Sequence, residues 1–119
     1  MNETIRRINL EDDKPTVAQA LSRLDFELRL AKKQKIGVLK IIHGFGSTGK
    51  GGKIRLAVRK QLQKEQDAGR IKYFIPGEKL SVFEEDTQRL LRQYPAFRKE
   101  SDIDRFNFGI TVVVLRDRI

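Results

Sequence analysis

His43 is the single histidine of the chain, and it stands where an apolar run meets a glycine-rich, lysine-tipped loop: Ile41-Ile42-His43-Gly44-Phe45-Gly46-Ser47-Thr48-Gly49-Lys50-Gly51-Gly52-Lys53. A strand, a glycine loop and then a helix aim backbone N–H groups and the positive end of the helix at an anion. The residue types suit phosphate. Gly44, Gly46 and Gly49 permit close backbone approach, Ser47 and Thr48 offer hydroxyls, and Lys50 and Lys53 bring charge. Arg55, Arg59 and Lys60 extend the cations along the next segment, Ile54 to Gln66, which has helical spacing. His43 can act there as general base, as phosphate donor or as the anchor of the loop. Between Glu27 and Glu65 there is no acid, while basic residues run from Arg29 to Lys64. The loop thus lies in the most electropositive part of a chain of formal net charge +9.

Two nucleotide motifs come close without fitting. Gly44 to Gly49 matches G-x-G-x-x-G, but it follows the second strand, not the first, and the segment about twenty residues on is helical and basic up to Glu65 rather than an acid closing a strand. Gly44 to Lys50 matches G-x-x-x-x-G-K, but Gly51 stands where a magnesium-binding hydroxyl belongs. Dinucleotide binding and ATP hydrolysis are therefore not expected. Glu11, Asp12 and Asp13 follow the first strand and reach the same sheet edge as His43 if the two strands are neighbours. Such acids hold a metal or act as a base in some sites and form a solvated turn in most. With no cysteine and one histidine, zinc is excluded, whereas Mg²⁺ or Mn²⁺ needs few protein ligands.

The elements that position these residues follow from periodicity. Ile5 to Leu10 predicts a strand. Thr16 and Gln19 have capping-box spacing, and Val17, Leu21, Leu24, Leu28 and Ala31 make one helical face ending near Lys33. Val38 to Ile42 is an apolar run suited to a strand covered on both faces. In the second helix Ile54, Val58 and Leu62 face the core, and Gly69 ends it. Ile71 to Ile75 predicts a third strand. Ser81 and Glu84 suggest a second capping box, opening a helix that buries Val82, Phe83, Leu90, Leu91 and Tyr94 and stops at Pro95. Phe97 to Phe108 reads as loop, and Gly109 to Leu115 as a closing strand. Alternating strands and helices predict a single-domain, two-layer α/β sandwich over residues 1–119, in the order β-α-β-α-β-(α)-β with a mixed four-stranded sheet.

Four pieces in order resemble the Smr (small MutS-related) domain family. These are Thr16-Val17-Ala18-Gln19-Ala20-Leu21, the H-G-x-G of His43, Gly44 and Gly46, the helix from Ile54 to Arg59, and Gly109-Ile110-Thr111-Val112-Val113-Val114-Leu115. The resemblance implies a fold similar to the C-terminal domain of translation initiation factor three. It also implies DNA or RNA binding, in many members a nicking endonuclease (hydrolase) activity, and in some an action on mRNA at stalled ribosomes. The first methionine suggests the stand-alone form of the domain. The chain departs from the family's L-D-x-H motif: Asn9 stands in place of the Asp and Glu11 in place of the His. The segment 79–105 is longer than the usual connection and reads as a helix-bearing insertion that covers the sheet or meets a partner.

The charge favours nucleic acid, DNA or RNA, with the ribosome as a further candidate partner. Lys50, Lys53 and the residues after them hold phosphate without reading bases. His43, Glu11 and Asp12 are the candidate catalytic residues if the chain cleaves, with Mg²⁺ or Mn²⁺ as the metal. No membrane-spanning run or signal core is present, so a cytoplasmic location is expected. Phe45 is the loop aromatic that can stack on a base or tuck into the core; the core is the expected place.

Overall fold

The computed structural model describes residues 5–45 and 50–117, with only the backbone at 50 and 51. The Thr16–Gln19 box forms as its spacing requires. The Thr16 hydroxyl accepts from Gln19 N at 3.1 Å, and Thr16 N donates to the Gln19 side-chain oxygen at 2.9 Å. Helix α1, Val17–Lys33, buries Ala20, Leu24, Leu28 and Ala31. It ends where Lys35 turns left-handed (φ 58) and Ile36 N reaches back to Ala31 O at 2.9 Å.

Strand β1 is Ile5–Asn9, β2 is Val38–Ile42, β3 is Tyr73–Pro76 and β4 is Ile110–Val114. The sheet order is β1-β2-β4-β3, with β1 parallel to β2 and β4 antiparallel to both its neighbours. This is the mixed four-stranded sheet that the sequence predicts. Helix α2, Lys50–Asp67, starts four residues before Ile54 and so takes Gly51 and Gly52 into its first turn. Gly69 (φ 77) ends it, with Arg70 N on Glu65 O at 2.9 Å.

Helices α1 and α2 cover one face of the sheet. Leu24, Leu28, Val58 and Leu62 pack there with Leu39, Ile41 and Val113. The connection from β3 to β4 covers the other face. It comprises a short 3-10 turn at Gly77–Lys79, helix α3 (Glu85–Gln93) and a second 3-10 turn at Pro95–Lys99. Leu80, Leu90, Leu91, Tyr94 and Phe97 meet Val38, Val112 and Val114 on that side. The connection that contains segment 79–105 is therefore the layer over the sheet's second face.

Its details differ from expectation. Ser81 does not cap a helix: its Oγ accepts from Phe83 N two residues on, a local turn that delays α3 to Glu85. Val82 and Phe83 are left exposed as a result. Phe97, read as loop, is fully buried, because Pro95 turns the chain back onto the sheet. A charged cluster lies inside this layer. The Lys40 ammonium, on β2, pairs with Glu100 at 3.2 Å and with Asp102.

Candidate functional site

The register aligns Asn9, Ile42 and Ile110 across neighbouring strands, with Pro76 opposite Thr111. The C-terminal ends of β1, β2 and β3 therefore share one edge with the start of β4. Crevices outside the carboxyl ends of strands are the usual ligand sites of α/β sheets. To this edge come Asn9 to Asp12, His43 to Phe45, Glu78, Asn107 to Gly109 and the first turn of α2.

Asn9 shapes the turn after β1. Its Oδ1 accepts from Glu11 N at 2.8 Å, while Leu10 N donates to Ile42 O at 2.7 Å. The Glu11 carboxylate is thereby laid against Gly44, where a Cβ would collide with it. The flexible carboxylate can move aside, but Gly44 also has φ +85, and it is the backbone that favours glycine here. Asp12 is exposed beyond the turn. Among the described residues no three His, Asp or Glu side chains gather into a metal site.

His43 is 1% exposed and both its ring nitrogens are engaged. Nδ1 lies 3.0 Å from Gly44 O and Nε2 lies 2.8 Å from Thr111 Oγ1. A carbonyl only accepts, so Nδ1 carries the proton, and Nε2 accepts from the Thr111 hydroxyl. Thr111 Oγ1 in turn accepts from Arg59 Nε at 3.1 Å. Burial, followed by the charges of Arg59 and Arg55, lowers the imidazole from 6.5 to about 4 against the Gly44 hydrogen bond that raises it. The ring is neutral at neutral pH and turned into the protein, which is the geometry of an anchor.

Arg59 is equally committed. Its fork meets both Glu78 oxygens at 2.7 Å, and Nη2 also donates to Ile110 O at 3.2 Å. Burial would raise the Glu78 carboxyl, but the Arg59 hydrogen bonds and charge leave it lowered. The guanidinium expected on an exposed phosphate track thus ties α2 to the sheet. The amides of His43 and Gly44 are occupied as well, both donating to Gly109 O at 3.0 Å. The expected cradle therefore does not include those two N–H groups. Gly46, Ser47, Thr48 and Gly49 lie outside the described residues, as does the Lys50 side chain. The α2 backbone begins at Lys50 with no acid in its first turn. Lys53 and Lys60 are exposed, and neither has an ion pair among the described residues.

Phe45 does not enter the core. It is 57% exposed and meets Phe108 edge to face, with centroids 5.7 Å apart and planes at 67°. The Arg55 guanidinium lies 5.9 Å from each ring centroid. Sequence reasoning missed Thr111, Glu78, Asn107 and Phe108. Thr111 carried a signal, being the one polar residue inside the apolar run from Ile110 to Leu115.

The family model of the Smr domain matches residues 13–81. That span begins after Asn9 and Glu11, where the sequence departs from the L-D-x-H motif. No curated protein matches. Among solved structures, the fold is similar to the crystal structure of the Smr domain of MutS2 from Thermus thermophilus. The two are 24% identical with a TM-score of 0.58, over 93% of this chain and 98% of that one. No helix among the described residues is long and apolar enough to cross a membrane.

Proposed function

This chain belongs to the Smr domain family, and we propose that it binds the phosphate backbone of DNA or RNA at the first turns of α2. The observation that carries this reading is a helix start without acids, at the carboxyl edge of the sheet, followed along α2 by exposed Lys53 and Lys60, neither of which has an ion pair among the described residues. Lys50 opens the helix and Arg55 lies on it one turn in, and Ser47 and Thr48, which precede it in the sequence, add hydroxyls to the grip. His43, Thr111 and Arg59 hold the turn in place from within. Contacts of this kind fix position and read no bases. A cytoplasmic polyanion, ribosomal RNA included, is the matching partner class.

Binding should depend steeply on salt, because each neutralised phosphate releases counterions, with a slope of about 0.9 per contact on duplex DNA. Charge reversal by Lys53→Glu with Lys60→Glu should lower the slope by roughly two contacts' worth and weaken every sequence alike. Fluorescence anisotropy against salt concentration measures it. An unchanged slope places the phosphate contacts elsewhere.

One contact favours a second reading, metal-assisted nicking: the Glu11 carboxylate rests on Gly44 at the entrance to the loop. A lone carboxylate completed by substrate phosphate oxygens is compatible with Mg²⁺ or Mn²⁺, and the ion would supply Lewis-acid stabilisation. His43 enters here as the group that orients the turn, and Asp12 as a neighbouring charge. Supercoiled plasmid incubated with either ion should relax with the native chain and persist with Glu11→Gln. Relaxation that survives Glu11→Gln removes Glu11 from this role.

A further inference from the structure

Beside the phosphate-binding edge lies a patch of different character. Phe45, Phe106 and Phe108 are 57%, 66% and 39% exposed. They border an open depression of about 670 Å³ whose wall continues through Asp102, Arg105 and Asn107. Exposed phenylalanines clustered on a chain of this charge need an occupant, because each leaves a large apolar face in water. Two of the rings are already organised. Phe45 and Phe108 hold a fixed edge-to-face angle, and Arg55 lies over both.

The loop bearing the other rings is built to present them. Phe106 has φ +52, a left-handed conformation that is rare and costly for a bulky side chain. Around it Asn107 is held at both polar side-chain atoms, Nδ2 donating to Asp102 Oδ1 at 3.0 Å and Oδ1 accepting from Gly109 N at 2.9 Å. Asp102 is held in turn by Lys40. The one carboxylate in the wall is thus neutralised from within, while Arg105 is exposed and the half-buried Arg55 sets its positive charge against two of the rings. An apolar, aromatic floor with cations at its rim suits a flat, electron-rich group attached to an anion.

We propose that Phe45, Phe106 and Phe108, with Arg55 across two of the rings, form a platform on which an unpaired base of a single-stranded polynucleotide stacks. The platform rests on the phosphate-binding reading of α2 and deepens it. The helix start holds the backbone without regard to sequence, and the aromatic patch selects for strands whose bases are free. A duplex keeps its bases stacked on one another and offers the platform nothing.

The test compares a labelled single-stranded oligodeoxyadenylate with the same strand annealed to oligodeoxythymidylate. The native chain should prefer the single strand. Phe45→Ala combined with Phe108→Ala should weaken single-strand binding about tenfold and change duplex binding by less than about twofold, with the salt slope kept. Phe45→Leu retains an apolar side chain without a π face and should reproduce part of the loss. Thermal denaturation shows that each variant is folded. Equal losses on both probes, or no loss on the single strand, overturn the platform. If Lys53→Glu with Lys60→Glu leaves the salt slope unchanged while the Phe variants still lose the single strand, the phosphate reading fails and the platform stands. If neither set of changes affects either probe, both are overturned and the patch is left to a protein partner.

Discussion

At the scale of residues, the wiring of His43 decides what the imidazole can do. A base that takes a substrate proton needs a free lone pair. Here the Nε2 lone pair accepts from Thr111 and Nδ1–H is given to Gly44 O. The same wiring makes stability depend on pH. The folded imidazole is lowered to about 4 from 6.5, so the unfolded chain binds a proton first as pH falls. Above 6.5 both states are neutral and nothing is lost; below it stability declines until about pH 4, where the folded state also protonates. By pH 5 the loss should reach about 2 kcal/mol, before most carboxylates titrate. Urea denaturation at pH 7 and pH 5 reads it directly, and a folded His43→Gln should show a much smaller change over that interval. Since there is one histidine, its single imidazole resonance should also stay in the neutral form throughout. A ring titrating near 6.5 would mean that His43 is not enclosed as described.

At the scale of elements, local signals that agree with each other were legible and signals in conflict were not. Thr16 with Gln19, Gly69 after the basic helix and the β-branched run before Leu115 each name one structure, and each forms. The start of α2 was hidden because Gly51-Gly52 reads as loop: two glycines in a first turn lower helix propensity by about 1 kcal/mol each. The start of α3 was misplaced because the Ser81 hydroxyl satisfies its own turn in preference to a helix. The site itself was half legible. His43 announced itself by its place at a strand end, but Thr111, Glu78 and Asn107 reach it only through the sheet register, which a single sequence does not print. The glycine disagreement has a measurable consequence. If Gly52 is helical, Gly52→Ala should raise stability by about 0.5–1 kcal/mol, seen as a higher urea midpoint at constant m. Were Gly52 instead part of a loop with its own backbone demands, the same change would be neutral or harmful.

At the scale of the whole molecule, the two faces of the sheet are not independent. Acids that would offset the positive field are tied internally, Glu65 by Arg70, Glu78 by Arg59, Glu100 by Arg7 and Lys40. The last of these pairs belongs to the second face, yet it connects to the site. From Lys40 the chain of contacts runs to Asp102, to Asn107, to Gly109 N, and from Gly109 O to the amides of His43 and Gly44. The layer formed by the long β3–β4 connection therefore holds both the histidine turn and the aromatic loop. Lys40→Met keeps the length of the side chain and removes its charge, leaving Asp102, about nine-tenths enclosed, with no ion-pair partner among the described residues, while Glu100 keeps Arg7. Breaking a buried pair from one side costs about 3–5 kcal/mol, more than two surface pairs together. The loss should be local before it is global. Hydrogen exchange should quicken first at Gly109, His43 and Gly44, while the amides of α1, packed on the opposite face, keep their protection. Uniform loss of protection across α1 and the histidine turn would mean that Lys40 stabilises the fold as a whole and does not hold the site.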